Sequence, residues 1–252
     1  MSEDISRTEP WHVLTQWTSA RIAMGRVGSS LPTKAVMEFN ADHALARDAV
    51  YASLDLAEMQ EQFAQAGFTT LVARSRAQSR SEYLRRPDLG RSLDPVCAAE
   101  LQLKNIEESG MLSVVVADGL SALAPRLHAA PLLKQLCEGL GHWKLDSVVL
   151  ATQARVALGD EIGELRGAEA VLVLIGERPG LRSSDSLGAY LTYRPRVGRM
   201  DSERNCISNI RPVGLGYEQA AFRLKHLLER ARILGATGVS LKDESDDLPA
   251  LQ

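Results

Sequence analysis

From residue 94 onward, short unbroken apolar runs alternate with stretches in which apolar residues recur every three or four positions. The runs predict strands at 112–117, 147–151, 171–175 and 189–193, because a strand buried on both faces needs no polar alternation. Between them the spacing predicts helices. One has Pro95 in its first turn and carries Leu101, Leu103 and Ile106 to Gly110. Others cover 132–140, with Cys137 on the buried side, and 160–165. A closing helix over 217–234 aligns Ala221, Leu224, Leu228 and Ile233, with Gly235 as its stop. Ahead of residue 94 the pattern is mainly helical. Thr33 is placed to cap a helix bearing Val36, Phe39, Ala44 and Ala46. Asp55 caps a second, with Leu56, Met59 and Phe63 on one face and Gly67 at its end. Residues 71–73 read as a short strand and 83–91 as an arginine-rich turn.

Strands and helices alternating at short spacing define an α/β fold. The expected architecture is a Rossmann-like, mostly parallel sheet flanked by helices, joined by right-handed crossovers and preceded by a smaller helical N-terminal region. Residues 1–10 are expected to be disordered, 11–93 to form the helical region, 94–240 the sheet domain, and 241–252 an acidic, flexible tail. With 252 residues, 45% of them apolar and 24% charged, the chain can bury a full core. A net charge of −3 gives no general attraction to nucleic acid or to an anionic membrane. No apolar run approaches ~18 residues, so no membrane span is expected. Cys97, Cys137 and Cys206 are too widely spaced for a disulfide framework or a zinc site. With no basic-then-apolar leader either, the chain is expected in the reducing cytoplasm.

The candidate chemistry sits at strand ends. The run 171–175 breaks into Gly176-Glu177-Arg178-Pro179-Gly180, at the carboxyl end of a strand, where open α/β sheets hold ligands. Glu177 can there be a general base, an arginine partner, a turn cap or an acceptor for ligand amides. Without a histidine or metal ligand near it in sequence, the acceptor role is favoured. Asn205-Cys206-Ile207-Ser208-Asn209-Ile210 reads as a polar–apolar loop bounded by Arg204 and Arg211. Flanking cations favour a thiolate, yet a lone cysteine without a base reads better as a small packing contact against a ligand. Arginine outnumbers lysine 23 to 6, with six arginines in 74–91 and seven in 178–211. A planar guanidinium suits carboxylate, phosphate or carbonyl groups at an interface; solvated surface arginines are the plainer alternative. Neither G-x-G-x-x-G nor G-x-x-x-x-G-K-[ST] occurs, which argues against a dinucleotide fingerprint and a P-loop. No two histidines lie at i, i+3 or i, i+4, so a helical metal site has no support. G-x-S-x-G is missing as well. So is D-x-H-x-x-G, through which some cobalamin proteins give cobalt a histidine.

Four segments, in this order and spacing, resemble the small (beta) subunit of ethanolamine ammonia-lyase. They are Arg86-Pro87-Asp88-Leu89-Gly90-Arg91, Val116-Ala117-Asp118-Gly119-Leu120-Ser121, the Gly176-to-Gly180 loop and the Asn205-to-Ile210 segment. Thr18, Ala20 and Arg21, followed by Gly25-Arg26-Val27-Gly28, are similar to the family's N-terminal signature, and the resemblance spans residues 15–240. The chain departs from the family in its short N-terminus and its acidic tail.

The resemblance implies a non-autonomous subunit of an adenosylcobalamin-dependent carbon–nitrogen lyase that converts ethanolamine to acetaldehyde and ammonia. It implies a large-subunit partner, whose TIM-type barrel holds substrate and the adenosyl group, in a hetero-oligomer of several large–small pairs. This chain would grip the lower face and nucleotide tail of the corrinoid. The cofactor would be base-on, its cobalt keeping its own benzimidazole, and the missing D-x-H-x-x-G agrees with that. Three cofactor contacts carry over: Val156 in Ala154-Arg155-Val156, Glu177 and Cys206. Corrin amides would donate to Glu177, while the corrin and benzimidazole faces suit small partners such as Val156 and Cys206. The radical chemistry would belong to the cofactor, so no catalytic or metal-ligating residue is expected in this chain. Packaging inside a bacterial microcompartment is left open. Rival readings are a stand-alone Rossmann-like oxidoreductase or transferase that binds a nucleotide, and a non-catalytic assembly protein whose arginines only dock a partner.

Overall fold

The computed structural model describes residues 10–18, 20–102 and 109–245. The remainder of the helix expected through Leu103 and Ile106, the first nine residues and the end of the acidic tail lie outside them. A 3-10 turn, Pro10–Gln16, and an irregular segment with a tight turn at Val27–Ser30 precede α1 (Thr33–Tyr51). Thr33 is not its cap. Pro32 holds that position at φ −56°, ψ 139°, and Thr33 is already helical. α1 buries only Ala35 and Ala49, and Phe39, on the face expected to be buried, is 42% accessible. The helix is held from one side by Arg21, which donates to Asp42 (3.1 Å) and to the Ala35 carbonyl (2.6 Å) and stacks on Phe39.

The next elements follow the sequence more closely. α2 (Leu56–Gln65) is capped by Asp55, which accepts from the Ala57 and Glu58 N–H groups, and it buries Met59 and Phe63. β1 (Thr70–Arg74) is the short strand expected at 71–73. The arginine-rich segment is more ordered than a turn: α3 (Arg80–Arg85) precedes a 3-10 turn, Leu89–Arg91. Ser79 accepts from the Glu82 N–H while the Glu82 carboxylate takes the Gln78 N–H, a reciprocal cap able to nucleate so short a helix. α4 (Pro95–Gln102) is capped by Asp94. β2 (Met111–Ala117) is buried throughout. α5 (Leu123–Cys137) starts well ahead of 132 and runs through Pro131, a residue that in a bare sequence reads as a helix opener. Cys137 closes α5 half-buried, and burial raises its thiol pKa against the opposing Lys225 charge.

β3 (Lys144–Leu145), β4 (Val148–Thr152), α6 (Leu158–Leu165), β5 (Ala170–Gly176) and β6 (Leu187–Tyr193) come next. β7 (Asn205–Ile210) occupies the segment expected as a loop, and α7 (Tyr217–Leu234) closes the fold. β7 is an edge strand that buries only Ile207 and Ile210. Its exposed Ser208 and Asn209, the latter at φ +60°, hide the strand period. Within α7, Ala221, Leu224 and Leu228 are buried, but Ile233 is 77% accessible. It lies five residues past Leu228, roughly 140° round the helix. Gly235 ends α7 at φ +72°.

The strand order is β1-β4-β2-β5-β6-β7, with β3 beside β2. The pairs β1–β4, β4–β2, β2–β3 and β2–β5 are parallel, whereas β6 runs antiparallel to both β5 and β7. The sheet is therefore mostly parallel, and its first strand comes from ahead of residue 94. A parallel crossover from β5 into β6 is ruled out by length: residues 177–186 are too few to carry a helix back across the sheet. Two cores cover the two faces. Leu112, Val114 and Val116 pack with Leu132 and Leu136 of α5 and Leu224 and Leu228 of α7. Val115, Ala117 and Val173 pack with Leu158 and Ile162 of α6. Each such valine, leucine or isoleucine contributes about 1.5–3 kcal/mol on burial. Among the described residues no helix is long and apolar enough to cross a membrane.

Candidate cofactor site

The connection after β2 leaves for α5 on one face, and the connection after β4 leaves for α6 on the other. Neighbouring strands whose chains diverge in this way open a crevice at their carboxyl ends. Asp118, the first residue after β2, spans it. Its carboxylate accepts from the Gln153 N–H (2.8 Å), the Ala154 N–H (3.1 Å) and Arg80 Nη1 (3.1 Å). Burial raises the Asp118 carboxyl above the ordinary range, opposed by Arg80 and the backbone donors. Tyr83 lies beneath, fully buried, and donates to the Ala154 carbonyl at 3.1 Å. The Arg80 and Arg155 guanidinium carbons stand 4.8 and 4.4 Å from its ring centroid. Gly90 closes the other side: a Cβ there would come within 2.9 Å of the Tyr83 ring and 3.0 Å of Arg155 Cγ. The Arg86-to-Arg91 turn and the 153–156 turn are thus locked together.

Above this base lies a cavity of about 420 Å³ walled by Tyr83, Leu120, Val156, Ile175, Glu177 and Tyr190, with Arg155 and Arg178 at its rim. Glu177 is half-buried. Its Oε2 accepts from Ser186 Oγ (2.5 Å) and the Asn209 N–H (3.2 Å), while among the described residues nothing donates to Oε1. The loop that carries it is tied down by Ser121, which donates to the Ser184 carbonyl, and by Asp185, which pairs with Arg211. Cys206 is not part of the cavity wall. It sits on exposed β7 directly across from Tyr190, so the two share a sheet face. Burial, and then Cys206 beside it, raise the Tyr190 hydroxyl pKa. The fold therefore puts Val156 and Glu177 in one cavity, with Cys206 one side chain beyond it.

Several residues here escape a reading of the sequence. Tyr83 and Arg155 lie inside or beside recognised motifs, but nothing local marks them as a stacked pair. Tyr190 is signalled only by the alternation in β6. Within the arginine clusters, Arg80, Arg204 and Arg211 are buried ion-pair partners of Asp118, Asp160 and Asp185, whereas Arg91 and Arg178 line cavities together with Arg155 from outside the clusters. A hollow of about 590 Å³ lies between the 20–25 segment and α1, with Arg182 of the loop after β5 in its wall.

The class of protein is set by these features: a Rossmann-like α/β chain whose candidate ligand trough opens at the carboxyl ends of its parallel strands. The family profile described as "Ethanolamine ammonia-lyase light chain (EutC)" matches residues 8–242. A protein named "Ethanolamine ammonia-lyase small subunit" from Azotobacter vinelandii is 51% identical over 251 residues, covering 98% of this chain and 93% of that one. Proteins of the same name from Ralstonia nicotianae and Xanthomonas campestris are 49% and 51% identical over 247 and 242 residues. They cover 96% and 94% of this chain, and 91% and 89% of their own lengths. This chain belongs to the ethanolamine ammonia-lyase small-subunit family, a family of lyase subunits.

Proposed function

We propose that this chain is the cobalamin-gripping small subunit of an adenosylcobalamin-dependent lyase that converts ethanolamine to acetaldehyde and ammonia. A large subunit would hold the substrate, as the name borne by the relatives suggests. The observation that carries the reading is the trough at the strand ends, where Val156 and Glu177 share a cavity and Cys206 follows on the same face. A corrinoid offers flat apolar surface fringed with primary amides, and the residues present fit both parts. Glu177 has one oxygen fixed and the other free to accept from an amide N–H. Leu120, Val156 and Ile175 form an apolar wall, and Cys206 is small enough to let a ring approach.

A cavity of about 420 Å³ is too small to enclose a corrinoid, so this chain would cover one side and the large subunit the rest, in several large–small pairs. When bound, the cofactor supplies a cobalt–carbon bond that breaks homolytically, the source of the radical chemistry. The chain's own residues bind, orient and exclude water: Glu177 anchors an edge, and Tyr83 and Asp118 hold the Val156 turn in place. Purified alone, the chain is expected to form no acetaldehyde from ethanolamine. Activity should appear when the large subunit and adenosylcobalamin are added together. Turnover by the lone chain, or tighter binding of NAD or ATP than of cobalamin by the complex, would instead favour an independent nucleotide-binding enzyme.

A further inference from the structure

We propose that Arg155, with Arg91 beside it, holds the phosphodiester of the cofactor's nucleotide tail; this rests on the cobalamin reading above. Arg155 and Val156 line both the cavity described and a second of about 260 Å³, which Pro87, Arg91, Ala157 and Asp201 complete. The stem of Arg155 is fixed. Its guanidinium lies against the Tyr83 ring, and Gly90 abuts its Cγ. Its charge is not satisfied. Among the described residues no carboxylate pairs with it, the one hydrogen bond of its guanidinium is a long 3.5 Å contact with the Tyr83 carbonyl, and its Nε is buried without an acceptor.

Arg155 is half-buried, and its contrast with three buried arginines is informative. Arg80, Arg204 and Arg211 each have an aspartate, whereas Arg155 is positioned just as firmly and has none. A half-buried cation without a counter-charge gives up part of its hydration, a cost that an arriving anion offsets. The second cavity has one acid, the exposed Asp201, loosely paired with Arg91 at 3.9 Å. α6 begins there too, with Ala157 at its cap position and its first N–H groups bonded to the Arg155, Val156 and Ala157 carbonyls, so it contributes only the helix dipole to the positive field. The amides around a corrin are neutral. The phosphodiester is the charged group on the periphery of cobalamin, and a guanidinium fork matches its two free oxygens.

The test uses the chain assembled with its large subunit and measures dissociation constants from the corrin absorption band. Cyanocobalamin is compared with dicyanocobinamide, which lacks the phosphate, ribose and benzimidazole. Wild type should bind cyanocobalamin the more tightly. Arg155→Gln should weaken cyanocobalamin binding ~10- to 100-fold, the worth of a charged hydrogen-bonded contact, and leave cobinamide binding unchanged. Arg155→Lys should fall between, because it keeps charge but not the fork. Retained cobinamide binding certifies the fold of each variant. If Arg155→Gln fails to assemble, Arg91→Gln, on a separate turn, carries the same comparison. Equal losses for both corrinoids, or no loss for either, would overturn the assignment. A wild-type complex that bound neither corrinoid would instead remove the cobalamin reading itself, and the assignment with it.

Discussion

Single residues settle how the crevice between β2 and β4 is shaped, and Asp118 matters most among them. Its three accepted hydrogen bonds include one from Gln153. That non-glycine residue is held at φ +55°, in the left-handed region that costs of order 1–3 kcal/mol unless the surroundings enforce it. Asp118→Asn removes an acceptor and leaves Arg80 buried without its charge partner, so a loss of ~3–5 kcal/mol is expected. The pH dependence follows from the raised carboxyl. A carboxyl whose folded pKa exceeds its unfolded value, near 3.9, contributes stability that is complete below that value and is lost as pH rises through the folded pKa. Asparagine does not titrate. The stability gap between wild type and Asp118→Asn should therefore narrow from about pH 4 toward neutrality, as read by urea unfolding at several pH values. A gap that widened would mean that Arg80 and the amide donors outweigh burial.

At the scale of elements, the tightest constraint is where β5 meets the loop after β2. A Cβ on Gly176 would come 1.9 Å from the Ser121 carbonyl oxygen and 2.7 Å from that of Asp118. No flexible side chain is available to yield. Gly176→Ala should cost at least the ~1–3 kcal/mol of ordinary overpacking, visible as a fall in Tm of several degrees; an unchanged Tm would show that the crossing is loose. The same region separates what could be read in advance from what could not. β2 and β5 were legible as unbroken apolar runs, and α2 and α7 because their buried positions recur at the helical period. β6 was legible as a strand but not in direction, since an apolar run looks alike either way and only the short 177–186 link decides. β7 and α3 were hidden, one by its exposed Ser208 and Asn209, the other by lying within a run of arginines. Glu177 was legible because a charged pair interrupts an apolar strand. Tyr83, Arg155 and Tyr190 were not, because their importance lies in contacts between distant segments.

On the scale of the whole molecule, a chain of net charge −3 carries an arginine-rimmed trough at one edge and an apolar surface elsewhere. Trp11, Trp17, Met37, Leu45 and Tyr51 are each more than 60% accessible and all belong to the N-terminal segment and α1. Large apolar side chains exposed along one stretch of the chain favour association. The isolated chain should self-associate as its concentration rises, and Trp17→Ser combined with Met37→Ser should shift it toward monomer in sedimentation velocity; a monomer at every concentration would refute this. Local pattern by itself determined the succession of strands and helices, the stops at Gly67 and Gly235, and the charged loop after β5, since each depends on residues a few positions apart. Only the tertiary structure decided that Val156 and Glu177 share a cavity, that Asp118 holds the Gln153 turn, and that Arg155 stands without a carboxylate. Those relations follow from the strand order β1-β4-β2-β5, which brings remote segments to one edge through hydrogen bonding and burial that no local period encodes.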